Sequence, residues 1–325
     1  LKKRKTMIPV IVGVDIAKTK FDVARLAESK YRHAKFENTS EGLARFVAWL
    51  AAFGEAPALI CMEATGAYSR PLAEYLVEQG FNVSVVNPAT IAAFAKSELS
   101  RVKTDKTDAK LISRYALAMQ PPPWTPPPRE IRQLQALLRR VEHLLEMERM
   151  EKNRLETADP TITKSIQSVL TTLEQEIKAT RDQIRQHMDT HPDLKRRRDL
   201  LDSIPGVGEA TAAWLLTVLS EHYAFTNAKQ AVAHVGLAPV IRQSGQWTGK
   251  THISKTGDPL VRKALYMPIL SALTWNPSLH AFSQRLKAKG KHAMAINCAT
   301  MRKLIHIAFA ILKSGRPYDP NYALA

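Results

Sequence analysis

Cysteine is nearly absent from this chain: of 325 residues only Cys61 and Cys298 are cysteines. They lie far apart and match no metal-ligand spacing, which excludes a disulfide scaffold and a cysteine-built zinc site. Both are expected to be small buried hydrophobes in a reducing compartment such as the cytoplasm. Long apolar runs are also missing. No stretch of about 18 apolar residues occurs, so no spanning helix and no membrane partner are expected. The segment Leu1-Lys2-Lys3-Arg4-Lys5 has the charge of a signal-peptide start, but the apolar run behind it ends at Asp15, so it reads as a basic tail. Acid is scarce: 30 Asp and Glu face 47 Lys and Arg, a formal net charge of +17. Such an excess points to a polyanionic partner without dictating a fold. With 45% apolar and 24% charged residues the composition is that of a folded protein, long enough for two domains.

Residues 7–120 alternate strand and helix signals. Val10–Val14 reads as a buried strand, Phe21–Leu26 as a half-buried one and Tyr31–Phe36 as a third. Asn38-Thr39-Ser40 caps a helix with Leu43, Phe46, Val47 and Leu50 on its apolar face. A strand at Ala58–Met62, a helix at Pro71–Gly80, a strand at Asn82–Val86 and more helix to about Met119 complete the run. The order β-β-β-α-β-α-β-α predicts a ribonuclease-H-like mixed sheet with helices on both faces.

The proline-rich run at 121–128, interrupted only by Trp124 and Thr125, reads as a stiff linker without a binding role. Behind it, Ile131, Leu134, Leu138, Val141 and Leu145 step by three and four. Ile162, Ile166, Val169, Leu173, Ile177, Thr180 and Ile184 do the same beyond Asp159-Pro160. Two long helices over 129–194 result, either packed as a hairpin within one chain or forming a dimer coiled coil. Residues 195–325 read as a compact, mainly helical domain, its last helix Ala293–Lys313 carrying Ile296, Thr300, Leu304, Ile307 and Ile311 on one face.

Four acids stand out. Asp15 and Glu63 follow apolar runs at strand ends, and Asp105 and Asp108 are three apart, on one helix face. Carboxylate oxygens suit Mg²⁺, and two such ions about 4 Å apart can activate an attacking oxygen and stabilise a leaving one. Taken singly each acid is more often solvated or a cap, Asp105 in particular being placed to cap a helix over Ala109–Met119. Asp22, mid-strand, is expected to face solvent.

Two further segments carry chemistry. Ile204-Pro205-Gly206-Val207-Gly208 between helices reads as a helix-hairpin-helix, where Gly206 and Gly208 let backbone approach a phosphate; an ordinary tight turn fits the same residues. The segment from Arg242 through Ser244, Lys250, Ser254 and Lys255 reads as a flexible cationic loop that could hold a phosphate and present a hydroxyl. Lys103, Arg262, Lys263 and Arg302 are candidate phosphate contacts, equally read as a solvated basic face. His292 and His306 lack ligand spacing and read as packing or surface residues.

The chain resembles the DEDD-type insertion-sequence transposases, the insertion-sequence one-hundred-ten family, which includes the Piv-type site-specific invertases. Gly13-Val14-Asp15-Ile16-Ala17-Lys18, Met62-Glu63-Ala64-Thr65-Gly66, Asn87-Pro88, Lys103-Thr104-Asp105-Lys106-Thr107-Asp108-Ala109, Ile204-Pro205-Gly206-Val207-Gly208, Gly236-Leu237-Ala238-Pro239 and Leu265-Tyr266-Met267-Pro268 carry it, in the family's order. The resemblance implies a RuvC-like catalytic domain over 7–120, a coiled-coil connector over 129–194 and a transposase domain over 195–325. It implies a metal-binding tetrad of Asp15, Glu63, Asp105 and Asp108, and a nucleophilic serine at Ser244, with Ser254 as the second candidate. It further implies Mg²⁺ as cofactor, donor and target DNA as substrates and a structured bridge RNA from the element as guide. A homodimer or homotetramer is implied too, in which acids and serine come from different subunits. The expected function is a recombinase working through a covalent phosphoserine. A RuvC-like nuclease using water, and a non-catalytic nucleic-acid-binding protein, are the alternatives.

Overall fold

The computed structural model describes residues 9–54, 56–66, 68–99, 104–245, 247–249 and 251–320. Lys103 and Lys250 lie outside the described residues. The chain divides into two compact units, Leu1–Pro126 and Pro127–Ala325.

The first unit is a five-stranded mixed sheet. Strands β1 (Ile11–Ile16), β2 (Lys20–Ala27) and β3 (Lys30–Glu37) form an antiparallel meander, and β4 (Leu59–Glu63) and β5 (Val83–Val86) run parallel to β1, in the order β3-β2-β1-β4-β5. Helices α1 (Ser40–Ala51), α2 (Ser69–Glu78), α3 (Pro88–Ser97) and α4 (Asp105–Met119) connect or cover the strands. The strand periodicity sorts side chains onto two faces. Val12, Val14, Phe21, Val23, Ile60 and Met62 meet Phe46 of α1 and Leu72 and Leu76 of α2. On the opposite face Ile11 and Cys61 pack with Ile112, Tyr115 and Ala116 of α4. Thr39 caps α1 by accepting from the Gly42 amide, as the sequence suggested. Both strand-end acids lie within their strands, because the ladder runs a residue or more past the apolar run.

The proline run is not a free spacer along its whole length. Ser84 Oγ donates to the carbonyl oxygens of Pro121 (3.0 Å) and Pro122 (2.7 Å), and the Trp124 amide donates to the Val83 carbonyl at 2.7 Å. Its first half is stitched to β5.

The second unit is mainly helical. Helices α5 (Arg129–Glu156) and α6 (Pro160–Thr190) pack along each other within one chain, Asp159 capping the second. The buried stripe of α6 runs through Ile166, Leu170, Leu173, Ile177 and Ile184, whereas Ile162 and Val169 are exposed. The stripe therefore takes Leu170 in place of the expected Val169. Helices α7 (Pro192–Asp202), α8 (Glu209–Val218), α9 (Ala228–Val235), α10 (Pro259–Trp275), α11 (Pro277–Ala288) and α12 (Ala293–Ser314) build one core with the base of α5 and α6. By length and hydropathy α12 alone among the described helices could cross a membrane. Its Ile296, Thr300, Leu304, Ile307 and Ile311 are instead buried, the last three within this core. His292 turns out to be its N-cap, accepting from the Met294 amide.

Candidate active site

The acidic edge is built around a glycine. A methyl group on Gly13 of β1 would run into the Ala109 carbonyl oxygen and the Ser113 amide, so α4 lies directly on the strand. Ala24, the register partner of Gly13, keeps the floor low on the β2 side. With Ala109 fixed there, the first turn of α4 carries Asp105 and Asp108 toward Asp15, two residues beyond Gly13. Thr104, not Asp105, is the N-cap: its hydroxyl accepts from the Thr107 amide while Thr107 Oγ1 accepts from the Thr104 amide. That capping box leaves the Asp105 carboxylate free to point elsewhere. Glu63 arrives from β4, one step past the paired residues Val14 and Met62.

The crowding registers on Asp15. Its carboxyl is raised from 3.8 to about 6, by burial first and then by the negative charges of Asp108, Asp105, Glu63 and Asp22. Asp105 moves the other way: the Lys20 ammonium, 2.6 Å from Oδ2, holds it below the usual carboxylate range. Burial, then the Glu63 charge, pushes the Cys61 thiol up to about 12, so it stays protonated on the same sheet face. The oxygen donors of this edge suit a hard divalent cation, which would relieve the repulsion felt at Asp15. Among the described residues no three His, Cys, Asp or Glu side chains stand close enough to grip an ion at once. The four acids share an edge and a field, while Asp105 is turned to Lys20.

Asp22 does not face solvent. It pairs with Asp15 in the β1–β2 ladder, so both side chains leave the same face; it is 6% exposed, and its Oδ1 lies 2.9 Å from His33 Nε2.

In the second unit Ser244 closes strand β7 (Gln243–Ser244), paired with β8 (Trp247–Thr248) through a tight turn at Gly245, φ 57°. A second short ladder, β6 (Pro239–Val240) with β9 (His252–Ile253), holds the base. The expected flexible loop is thus a laddered hairpin, with Arg242, Ser244 and Trp247 exposed. Ser254 sits at the base, its amide bound to the Ala238 carbonyl and its hydroxyl 3.2 Å from Thr256 Oγ1. Lys255, exposed, holds a left-handed turn, its amide donating to the Gly236 carbonyl.

The glycines of the expected helix-hairpin-helix differ. A side chain on Gly206 would strike the backbone of Ala272, so this glycine serves helix packing; Gly208 is exposed with open space around it and N-caps α8. Arg262 is committed to the fold, Nη1 donating to the carbonyl oxygens of Val235 (3.0 Å) and Gly257 (2.6 Å). Lys263 is paired with Glu142 at 2.7 Å. A signal the motifs missed is purely electrostatic. Residues 259–318 contain no Asp or Glu but ten Lys and Arg, of which Arg285, Lys287, Lys289 and Lys291 stand exposed around the α11–α12 turn.

Two family models match the chain: a transposase model over residues 12–158, and one described as transposase IS116/IS110/IS902 family over residues 198–284. The pilin gene-inverting protein of Moraxella lacunata is 33% identical over 96% of this chain and 98% of its own length. The chain belongs to the IS110 transposase family. The corresponding protein of Moraxella bovis matches equally well, and the transposase for insertion sequence element IS1328 of Yersinia enterocolitica is 23% identical over 95% of the chain. The first family model spans Asp15, Glu63, Asp105 and Asp108, and the second spans the Ser244 hairpin of this transposase.

Proposed function

We propose that this transposase cuts and rejoins DNA strands through a covalent phosphoserine on Ser244, with the edge of Asp15, Glu63, Asp105 and Asp108 as its Mg²⁺ site. The observation that supports the reading is the convergence of two strand ends and a helix start, where burial and then the neighbouring carboxylates raise the Asp15 carboxyl to about 6. When bound, the metal supplies Lewis-acid polarisation of the scissile phosphate and stabilises the departing oxygen. Ser244 Oγ attacks phosphorus and loses its proton; the bond to the 3′ oxygen breaks, and that oxygen leaves as a 3′-hydroxyl. A 3′-hydroxyl from the partner strand then attacks the phosphoserine and returns the serine, so bond energy is conserved. The exposed hairpin tip suits a nucleophile that must reach a large substrate.

The sheet order with its acids at the strand ends supports a RuvC-like unit, and the hairpin of α5 and α6 a helical connector; the dimer or tetramer rests on the family likeness alone. The cations around the α11–α12 turn provide sequence-independent affinity for donor and target DNA, which falls steeply with salt. By its family likeness the protein takes a structured element RNA as guide and acts at the bacterial nucleoid.

The test is trapping on radiolabelled junction DNA with Mg²⁺ and the element's RNA, followed by denaturing electrophoresis. A DNA-linked protein band that disappears in Ser244→Ala is the expected result. Cleavage without linked protein, unchanged in Ser244→Ala, would replace this reading with a nuclease that uses water.

A further inference from the structure

We propose that Lys20 is an internal counter-cation of the acidic edge, displaced from Asp105 toward Asp22 when a divalent metal ion enters. The proposal rests on the metal site of the preceding reading and adds a residue that competes for it.

Lys20 opens β2, and its ammonium stands 2.6 Å from Asp105 Oδ2. Both side chains are partly open to solvent, 35% and 55% exposed. An exposed ion pair of this kind contributes little and exchanges readily. Lysine also suits a mobile charge, being a compact ammonium on a flexible four-carbon stem. Asp22 is the contrasting partner. Two residues along the strand from Lys20, it leaves the same sheet face. It is buried and held by His33, and it stands in register with Asp15. A fifth carboxylate beside four others adds repulsion and has no part in the tetrad. As a fixed acceptor beside Lys20, it has one. With the ammonium on Asp105, the crowded edge is partly neutralised in the resting protein. A metal ion that takes Asp105 sends the ammonium back along its own strand, to the fixed Asp22 carboxylate, which it then shares with His33 and with Lys35, its register partner on β3.

The experiment measures Mn²⁺ binding to the full-length protein without DNA, from the electron paramagnetic resonance signal of free Mn²⁺, with circular dichroism as the folding check. Lys20→Met is expected to tighten binding roughly three- to fivefold, the range of an exposed ion pair. Lys106→Met removes a cation one residue from Asp105, exposed and on the same helix turn, and is expected to leave binding within about twofold. Asp22→Asn is expected to weaken binding, and the Lys20→Met/Asp22→Asn pair to regain the affinity of Lys20→Met alone, a coupling that independent sites do not show. Unchanged or weaker binding in Lys20→Met, where wild-type binding is abolished by Asp105→Asn, overturns the counter-cation. Equal tightening by Lys106→Met overturns it as well, since a general charge effect would then suffice. Failure of the wild type and Lys20→Met alike to bind Mn²⁺ overturns the metal site itself, and this proposal with it.

Discussion

Gly13 lies directly beneath the carbonyl oxygen of Ala109, with no room between them for a methyl group. The position of the acidic edge depends on this approach, because α4 brings Asp105 and Asp108 to β1 only while Ala109 rests on the strand. Gly13→Ala is expected to cost about 1–3 kcal/mol in urea unfolding, the usual penalty of overpacking, and to abolish strand cleavage. An active, equally stable Gly13→Ala protein would mean that α4 is not the element that sets the edge.

Asp15 gives a pH dependence with a definite sign. Its carboxyl is raised from 3.8 to about 6 on folding, so the folded chain holds this proton more tightly than the unfolded chain. The associated stability is complete below about pH 3.8 and is lost as pH rises through about 6. Metal-free Asp15→Asn is therefore expected to exceed the parent at pH 8 by about 1–2 kcal/mol, discounted for partial exposure, with the gap closed at pH 4. Denaturant melts in chelator at the two pH values measure it. A gap that persists at pH 4 would assign the gain to something other than the charge.

Arg262 and Lys287 separate a cation bound into the fold from one proposed to meet DNA. Arg262→Ala removes the donor to the Val235 and Gly257 carbonyls and is expected to lower stability by about 2 kcal/mol, with the salt slope of DNA binding unchanged. Lys287→Ala and Lys289→Ala are expected to leave the melting temperature alone and each to reduce that slope by about 1. Affinity titrations at several salt concentrations, beside thermal melts, distinguish the two classes.

Much of the sheet was legible because its strands lie within a residue or two of the apolar and alternating runs, and because Thr39 announces α1. The site was legible only as a set of acids. The sequence places Asp15 and Asp22 on separate strands, and only the register Asp15↔Asp22 shows that they leave one face. The burial of Asp22 then follows from β3, which supplies His33 from eleven residues away. The hold of Arg262 on the fold was hidden for a similar reason: its acceptors lie at residues 235 and 257, and no local pattern reveals a guanidinium turned toward them.

The stripe of α6 illustrates an ambiguity of helical period. From Ile166, both Val169 at three residues and Leu170 at four continue an apolar row. Packing selects Leu170, which is 8% exposed against 43% for Val169. Leu170→Ala is expected to cost about 2–3 kcal/mol, and Val169→Ala less than about 0.5 kcal/mol, in denaturant unfolding.

The stitching of Pro121, Pro122 and Trp124 to Ser84 and Val83 falls on β5, one of the two outermost strands of its sheet. An outermost strand offers unpaired backbone groups to any extended chain, including another copy of itself. Proline has no amide hydrogen and cannot recruit a further strand. The segment leaving the sheet thus guards the β5 rim against strand addition by a further chain.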